Sequence, residues 1–400
     1  MENFIIEPQK QIPVSDACDV LVAGGGVAGV AAALAAARRG KHVILCEQQY
    51  MVGGLATAGL IAIYLPLCDG RGRQVSFSVA EELLRLSVCE GGGEVPALWR
   101  EAHTPEERAR HRFQLEYNPQ LAAIAWEQAL IAAGVRILYG TSICAVHQTD
   151  GFIRHVIVEN KSSRSAIAVQ SVIDATGDAD VAAFSGEETA RFGQGNVLAA
   201  WYYSFTGGKP RMHMLGFSDI PDKYKTKETE NLLSPRRFGG LDAGERSEMV
   251  LASHKTILED YRRLRENGDE ALPMTIATIP QVRMTRRLAG AYTLDDTESF
   301  TRFEDSVGLI SDWRKPGPVY EVPFGTLHGM RVKNLLAAGR CISVTDAMWD
   351  ISRVIPCCAV TGEAAGVAAS IGCDFTRIDL SDVQDALREN GVVLHTDAIF

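Results

Sequence analysis

The sequence predicts an α/β protein that begins with a Rossmann-type dinucleotide-binding unit. Three observations support this fold class. Residues 19–23 and 42–46 are patterned as short apolar strands, a glycine-rich turn follows the first of them, and residues 27–39 form an alanine-rich pattern typical of a helix. Together these elements take about thirty residues, which is the length that two parallel strands and their crossover need.

The composition is that of an ordinary globular protein. The chain has 400 residues, of which 46% are hydrophobic and 22% charged, enough for two or three domains. The net charge of −10 argues against a nucleic-acid surface, which needs a basic face. No secretory signal pattern is visible, and the longest apolar stretch, 27–37, is too short to span a bilayer. We therefore expect a cytoplasmic protein that binds a small molecule and neither nucleic acid nor a membrane, with homo-oligomerisation left open.

The nine cysteines form an odd set with neither CxxC spacing nor a zinc-binding pattern. Cys357 and Cys358 are the only adjacent pair. Free thiols in a reducing compartment explain this pattern best, and we expect no metal site.

The glycine-rich turn has the spacing GxGxxG. Gly24 permits a tight turn after the strand, Gly26 allows a pyrophosphate to approach the backbone, and Gly29 allows the helix to pack closely on the sheet. The first turn of the helix, which includes Ala28, then presents free N–H groups to the phosphates. Glu47, at the end of the second strand, is placed to accept the ribose hydroxyls of an adenosine.

The turn and the acid do not by themselves identify the dinucleotide. Glu47 disfavours a 2′-phosphate and therefore NADP, which leaves NAD and FAD open. A second glycine-rich loop at 53–60 separates these two, because NAD dehydrogenases have no reason to place such a loop there. In flavoproteins a loop of this kind passes beside the pyrophosphate and the flavin, so FAD is favoured.

With this second loop the chain resembles the FAD-dependent oxidoreductases of the glutathione-reductase-like and fumarate-reductase-like class. It is most similar to a bacterial family described as FAD-dependent oxidoreductase. The resemblance covers about a third of the chain. Four blocks carry it: 19–60 with GGGVAGVAAA and GGLATAGL, 172–178 with ATGD, 283–292 with RMTRRLAGAY, and 334–369 with NLLAAGR, CIS, RVIP and GEAAG.

The resemblance implies roles for further residues. Gly53, Gly54 and Thr57 would lie near the pyrophosphate or the flavin, and Ile143 and Ala145 near the adenine. The dinucleotide would be flanked by Ala175, Thr176, Gly177 and Asp178, while Gly339 and Arg340 would lie near the ribityl chain.

Two features of the last block qualify these implied roles. Many relatives have an acid after the glycine that corresponds to Gly339, and it binds a ribityl hydroxyl. This chain has Arg340 there, so that contact is not assumed. The last helix, from about Thr361 and including Gly362 and Ala365, would point its N-terminus at the N1–C2=O edge of the flavin, although both small residues also suit close helix packing.

The predicted organisation is a Rossmann-type, glutathione-reductase-like FAD-binding domain with a three-stranded β meander, and a second, mixed α+β substrate domain. We expect the FAD-binding domain at 1–196, with an irregular insertion at about 61–115, and its return at 319–400. The substrate domain is expected at 197–318. Predicted elements are helices at 78–88, 118–133 and 246–265, and short strands at 135–139, 143–148, 152–158 and 167–173. We expect these short strands to form the antiparallel meander.

Catalytic candidates come from the last two blocks. Arg353 lies in apolar sequence, where a charge usually has a partner or a ligand. Arg283 and Arg287 would share one face of a strand and could clamp a carboxylate, although a solvated basic edge strand explains them equally well. His328 is a possible acid or base.

We therefore expect an enzyme that transfers a hydride between a small organic substrate and the flavin N5. An NAD-dependent Rossmann dehydrogenase and a non-catalytic FAD-binding module are the alternatives. A tRNA-modifying flavoprotein shares the first block, but the acidic net charge argues against it. The sequence contains no pattern that identifies the substrate.

Overall fold

A computed structural model describes residue 5, residues 9–216 and residues 232–400. Most strands of these residues are short. In chain order they are β1 (Val14–Ala23), β2 (Val43–Cys46), β3 (Ile63–Tyr64), β4 (Leu115–Glu116), β5 (Arg136–Leu138), β6 (Ser142–Thr149), β7 (Phe152–Asn160), β8 (Ser163–Asp174), β9 (Thr189–Arg191), β10 (Tyr202–Thr206), β11 (Lys209–His213), β12 (Leu272–Ile276), β13 (Arg286–Leu288), β14 (Ser306–Ser311), β15 (Val319–Pro323) and β16 (Leu335–Ala337).

The helices of the same residues range from single turns to a long helix in the second half of the chain. They are α1 (Val27–Arg38), α2 (Val79–Ser87), α3 (Ala97–Arg100), α4 (Pro105–Arg108), α5 (Pro119–Ala132), α6 (Asp180–Phe184), α7 (Ala243–Glu266), α8 (Asp346–Ser352), α9 (Ile355–Ile371) and α10 (Leu380–Glu389).

Five parallel strands form the main sheet, in the order β5-β2-β1-β8-β16. Strand β8 has different partners along its length. Its first half pairs antiparallel with β7, and β7 pairs with β6, which confirms the predicted meander. Its second half pairs parallel with β16, with Ile173 opposite Leu336. The predicted strand at 135–139 was wrongly assigned to the meander, because β5 pairs with β2 at the opposite edge of the sheet.

Both faces of the sheet are covered. Val20 and Val22 of β1 point into one apolar cluster with α1 and α9, while Leu21 and Ala23 point into a second cluster with the meander. Burial on both faces is why residues 20–23 of β1 and all of β2 are continuously apolar. The predicted helices at 78–88 and 118–133 are confirmed as α2 and α5, and the side chain of Asn118 accepts hydrogen bonds from the first turn of α5.

The helix expected from about Thr361 begins six residues earlier. Helix α9 starts at Ile355, with Pro356 in its first turn, where the missing N–H of proline costs nothing. Thr361 is therefore an interior residue of the helix. Its hydroxyl donates to the carbonyl of Cys357 and accepts from the N–H of Gly339, which fixes the turn after β16.

The described residues within 197–318, called the inserted region below, carry a three-stranded antiparallel sheet in the order β11-β10-β12 and the long helix α7. Asp242 caps α7 by accepting from the N–H of Glu245 at 2.8 Å. The predicted arginine-rich strand is shorter than expected, since β13 contains only Arg286–Leu288 and leaves Arg283 outside it.

No single helix in the described ranges is both long and apolar enough to cross a membrane. The pair α8 and α9 passes by length and composition together, but the two helices are bent by 92° with respect to each other.

Candidate cofactor site

A cavity of about 500 Å³ lies at the carboxyl ends of β1, β2, β8 and β16. Strand order reverses at this edge of the sheet, between β1 and β8, which is where doubly wound folds bind their ligands. The size is ordinary for a small-molecule site. The cavity is lined by Gly24, Gly26, Val27, Ala28, Cys46, Glu47, Gln48, Gln49, Gly53, Gly54, Leu55, Ala56, Thr141, Ile143, Ala175, Thr176, Gly177, Asp178, Asp180, Arg246, Ile279, Pro280, Val282, Ala338, Arg340, Arg353, Ile355 and Cys358.

The three glycines of the first turn meet different surroundings. Gly24 has φ +96°, and a Cβ on it would lie 2.6 Å from the carbonyl oxygen of Ala175. A Cβ on Gly29 would lie 1.9 Å from the carbonyl oxygen of Gly24, so this glycine allows the helix to approach the strand. No atom of the described residues lies within 4 Å of a Cβ on Gly26, which therefore faces open cavity. The structure thus leaves space where the pattern places a pyrophosphate.

The amino end of α1 is open to a ligand. No described side chain caps the helix at Gly26. The first N–H groups of an uncapped helix carry the positive end of its dipole, and they bind phosphate when it approaches. Val27 and Ala28, the first two residues of the helix, line the cavity.

Glu47 follows β2 and faces the cavity. Its two carboxylate oxygens accept from the N–H of Gly25 at 2.7 Å and of Gln49 at 2.8 Å. Burial raises the pKa of Glu47, and the backbone N–H groups act in the opposite direction. Each carboxylate oxygen can accept a further hydrogen bond, so these contacts orient the group and leave it able to bind ribose hydroxyls.

The second glycine loop is tied to the first. The N–H of Gly53 donates to the carbonyl of Gly25 at 2.7 Å. Thr57 is fully buried, and its hydroxyl donates to the carbonyl of Val52 at 2.5 Å. A Cβ on Gly53 would collide with the Thr57 side chain at 2.4 Å. Thr57 therefore supports the loop from outside the cavity lining, while Gly53 and Gly54 line the cavity.

Two buried groups, the Asp174 carboxylate and the Cys341 sulfur, hold the segment after β8 in place. The Asp174 carboxylate accepts from the hydroxyl of Thr176 at 2.7 Å and from the N–H of Ala182 at 2.9 Å. The Cys341 sulfur accepts from the N–H groups of Gly177, at 3.1 Å, and of Ala179, at 3.3 Å. These contacts turn the segment so that Ala175, Thr176, Gly177 and Asp178 line the cavity.

The cavity brings together most of the predicted cofactor residues, but six lie outside its lining. Gly362 and Ala365 are in the interior of α9, where a Cβ on Gly362 would lie 2.2 Å from the carbonyl oxygen of Ala28. Helix α9 begins at Ile355, and its first turn lines the cavity where Gly362 and Ala365 were expected. These two residues therefore serve helix packing. The other four are Gly29, Thr57, Ala145 and Gly339.

Of the four predicted catalytic residues, only Arg353 lines the cavity. Arg287 is paired with Asp346 at 2.9 Å and lies over the Trp349 ring. Arg283 is buried and lies over the Trp201 ring, so the solvated edge strand considered for these arginines is wrong. His328 is buried, with its Nδ1 2.9 Å from the carbonyl oxygen of Gly329.

The lining also contains residues that sequence reasoning missed. Gln48 and Gln49 follow Glu47 directly, and adjacency to the acid could have identified them. Burial, together with the nearby Asp174 and Asp178 carboxylates, raises the pKa of Asp180 to about 6. No local pattern marks the contributions of the inserted region, which are Arg246, Ile279, Pro280 and Val282.

These observations fit FAD. The open space at Gly26, the uncapped helix and the acid at the end of β2 suit the ADP half. The lining then continues past the glycine loops to Arg340 and the first turn of α9, as an elongated dinucleotide requires.

Comparison with known proteins gives the family. A family model described as FAD dependent oxidoreductase matches residues 19–197 and 200–387. A thioredoxin reductase of Ureaplasma parvum is 34% identical over 70 residues, which cover 18% of this chain and 23% of that protein.

Two solved structures of low sequence identity match most of this chain. A geranylgeranyl bacteriochlorophyll reductase-like protein from Thermoplasma acidophilum is 13% identical, with a TM-score of 0.48 over 94% of this chain and 82% of that one. A flavocytochrome c3 fumarate reductase is 14% identical, with a TM-score of 0.42 over 94% and 79%. The family model covers most of the chain, and the chain therefore belongs to the FAD-dependent oxidoreductase family, with FAD as its cofactor.

Proposed function

We propose that this protein transfers a hydride between a small organic substrate and the N5 atom of FAD, and that Arg353 holds an oxygen of that substrate. FAD supplies the hydride acceptor or donor when it is bound. The residues of the chain must then bind and orient the substrate and keep water away from it. The position of Arg353 is the observation that carries the proposal.

Arg353 is a fixed cation at the edge of the cavity. Its Nη2 and Nε atoms donate to a single oxygen of Asp350, at 2.6 and 3.2 Å, and both side chains are buried. The Nη1 atom of Arg353 makes no hydrogen bond to the other described residues. A guanidinium held on one edge and free on the other is suited to bind a carboxylate or to polarise a carbonyl.

The surroundings of Arg353 suit a substrate with apolar and anionic parts. Ile355 and Cys358, in the first turn of α9, line the same cavity, and Ile279, Pro280 and Val282 contribute an apolar wall from the inserted region. Burial raises the pKa of the Cys358 thiol to about 12, which keeps it neutral and suits it to packing. Of the four catalytic candidates from the sequence, Arg353 is therefore the one to which we assign substrate binding.

The test begins with the purified protein, which should be yellow and should bleach under anaerobic conditions with its substrate. Hydroxy acids, amines and sugars are the compounds to screen. With the compound that bleaches it, Arg353→Met should retain FAD and slow flavin reduction by about 100-fold, the usual cost of one electrostatic donor. Stopped-flow absorbance measures this rate.

Arg314→Met is the matched control. Arg314 also approaches Asp350, at 3.4 Å, and lies outside the cavity lining, so its loss should leave the reduction rate unchanged. If Arg353→Met does not fold because Asp350 keeps only the longer contact with Arg314, the double variant Arg353→Met/Asp350→Asn removes that charge. Reduction of either Arg353 variant at the wild-type rate would show that the assignment is wrong.

A further inference from the structure

The carboxylate of Asp178 lies between two arginines that come from distant parts of the chain. Arg246, in the first turns of α7, places its Nη1 3.0 Å from one carboxylate oxygen. Arg340, just after β16, places its Nη2 3.8 Å from the other. All three side chains line the cofactor cavity. The inserted region and the main sheet therefore meet at the cofactor site itself.

Two arginines share one acceptor at this meeting point. Two guanidinium groups share the one carboxylate of Asp178, which also accepts from the hydroxyl of Thr285 at 2.7 Å. The neighbouring carboxylate of Asp180 is occupied by Arg286, at 2.6 Å. Arg246 and Arg340 therefore share one carboxylate, and the N–H groups of Arg246 beyond the one at Asp178 can donate to an anionic ligand in the cavity.

The lining arginines differ in how freely they can move. Arg340 donates to the carbonyls of Val282 and Arg283, the latter at 2.6 Å, and its guanidinium fills the space beside Gly177. Arg353 is held by Asp350. Arg246 has 38% of its side chain exposed, and Asp178 is its only side-chain partner among the described residues. Turning toward a ligand in the cavity would cost Arg246 only its contact with Asp178, and Asp178 would keep Thr285 and Arg340 as partners.

We propose that Arg246 binds the diphosphate of FAD, so that the inserted region contributes directly to cofactor binding. The glycine turn supplies N–H groups for the phosphates but no cation. Arginine suits this role because its planar group donates two parallel hydrogen bonds to a phosphate. Through Arg246, a bound diphosphate also links α7 to the main sheet.

The experiment measures binding to the apoprotein of the full chain by calorimetry, so it does not depend on turnover. ADP, FAD and adenosine are the probes. Arg246→Met should weaken ADP and FAD by about 10-fold or more, the usual effect of losing a hydrogen bond to a charged group, and leave adenosine unchanged. Arg246→Lys keeps the charge without the paired donors and should weaken ADP less.

Lys255→Met is the matched control, because Lys255 is on the same helix, is 78% exposed, and has only Glu259 as an ion-pair partner among the residues that the structure describes. It should bind all three probes like the wild type. Arg246→Gln replaces the methionine variant if that one does not fold, with the same expectation. Unchanged ADP binding by the variant would overturn the proposal. An equal loss of ADP and adenosine would overturn it too, since Arg246 would then only hold the two parts of the chain together.

Discussion

The carbonyl oxygen of Ala28 lies 2.2 Å from the position that a Cβ atom on Gly362 would occupy. One turn further along, the carbonyl of Ala32 stands in the same relation to Gly366, at 2.3 Å. Helices α1 and α9 thus touch through their backbones, and no side chain separates them at these two points. Because α1 carries the glycine turn and α9 begins at the cavity, this contact sets the distance between the two ends of the cofactor site.

Gly362→Ala should destabilise the protein by about 1–3 kcal/mol or more, because a methyl group has no space between the helices. Urea unfolding followed by circular dichroism measures the free energy. Gly193→Ala is the control, since no described atom lies within 4 Å of a Cβ there. If the two variants were equally stable, the helix contact would be looser than described.

Gly26→Val should leave the protein folded and abolish flavin retention. The backbone at Gly26, with φ −63° and ψ 176°, is extended and accepts any residue, so valine causes no strain there. Its side chain would occupy the open space in front of the glycine turn. Absorbance of the purified protein measures the flavin content, and Gly193→Val should remain yellow. A yellow Gly26→Val protein would contradict the assignment of the phosphate position.

Glu363 should make stability depend on pH. Its carboxylate is buried in α9 and accepts from the hydroxyl of Ser78 at 2.7 Å and the N–H of Val79. Burial raises the pKa of Glu363 from 4.5 to about 7. Because the folded state binds this proton more tightly than the unfolded state, the contribution is fully present below pH 4.5 and is lost as pH rises through about 7.

Glu363→Gln should remove this dependence, worth on the order of 3 kcal/mol across the interval. Urea midpoints of both proteins between pH 4 and pH 8 give the difference. The stability of the wild type should fall relative to that of the variant as the pH rises. A constant difference would mean that Glu363 does not titrate in this range.

The reactivity of each cysteine thiol should increase with its exposure. Cys373 is exposed, Cys89 and Cys144 are partly exposed, and the other six cysteines are buried. Burial raises the pKa of Cys341 and Cys357 well above its usual value, so neither should form a reactive thiolate. With a colorimetric thiol reagent, Cys373 should react first, and Cys373→Ser should remove that first phase. All nine thiols should react in urea, and rapid reaction of Cys357 in the native protein would contradict its burial.

The first strand, the helix after it and Glu47 could be predicted because their signals are local. A tight turn, an apolar helix face and an acid at a strand end lie within about thirty residues. The start of α9 was missed although a signal exists, since Pro356 is a residue that suits the first turn of a helix.

Other features could not be predicted because they depend on which segments meet. Apolar alternation indicates that 135–139 forms a strand but not that it pairs with β2. Arg246 resembles any charged residue in the first turns of a helix. It reaches the cavity only because α7 packs next to the segment after β8, and that contact joins residues 68 positions apart.

Strand β8 has a consequence for how the protein is made. Its partners β1 and β16 are far away along the chain in both directions, with Val172 opposite both Leu21 and Leu335. A sheet of such distant pairings folds slowly, because long loops must close before the contacts are gained. During synthesis the second half of β8 keeps one open edge until residues 335–337 leave the ribosome. An open, apolar edge invites pairing with another chain, so growing chains should depend on chaperones until the last fifth has been added.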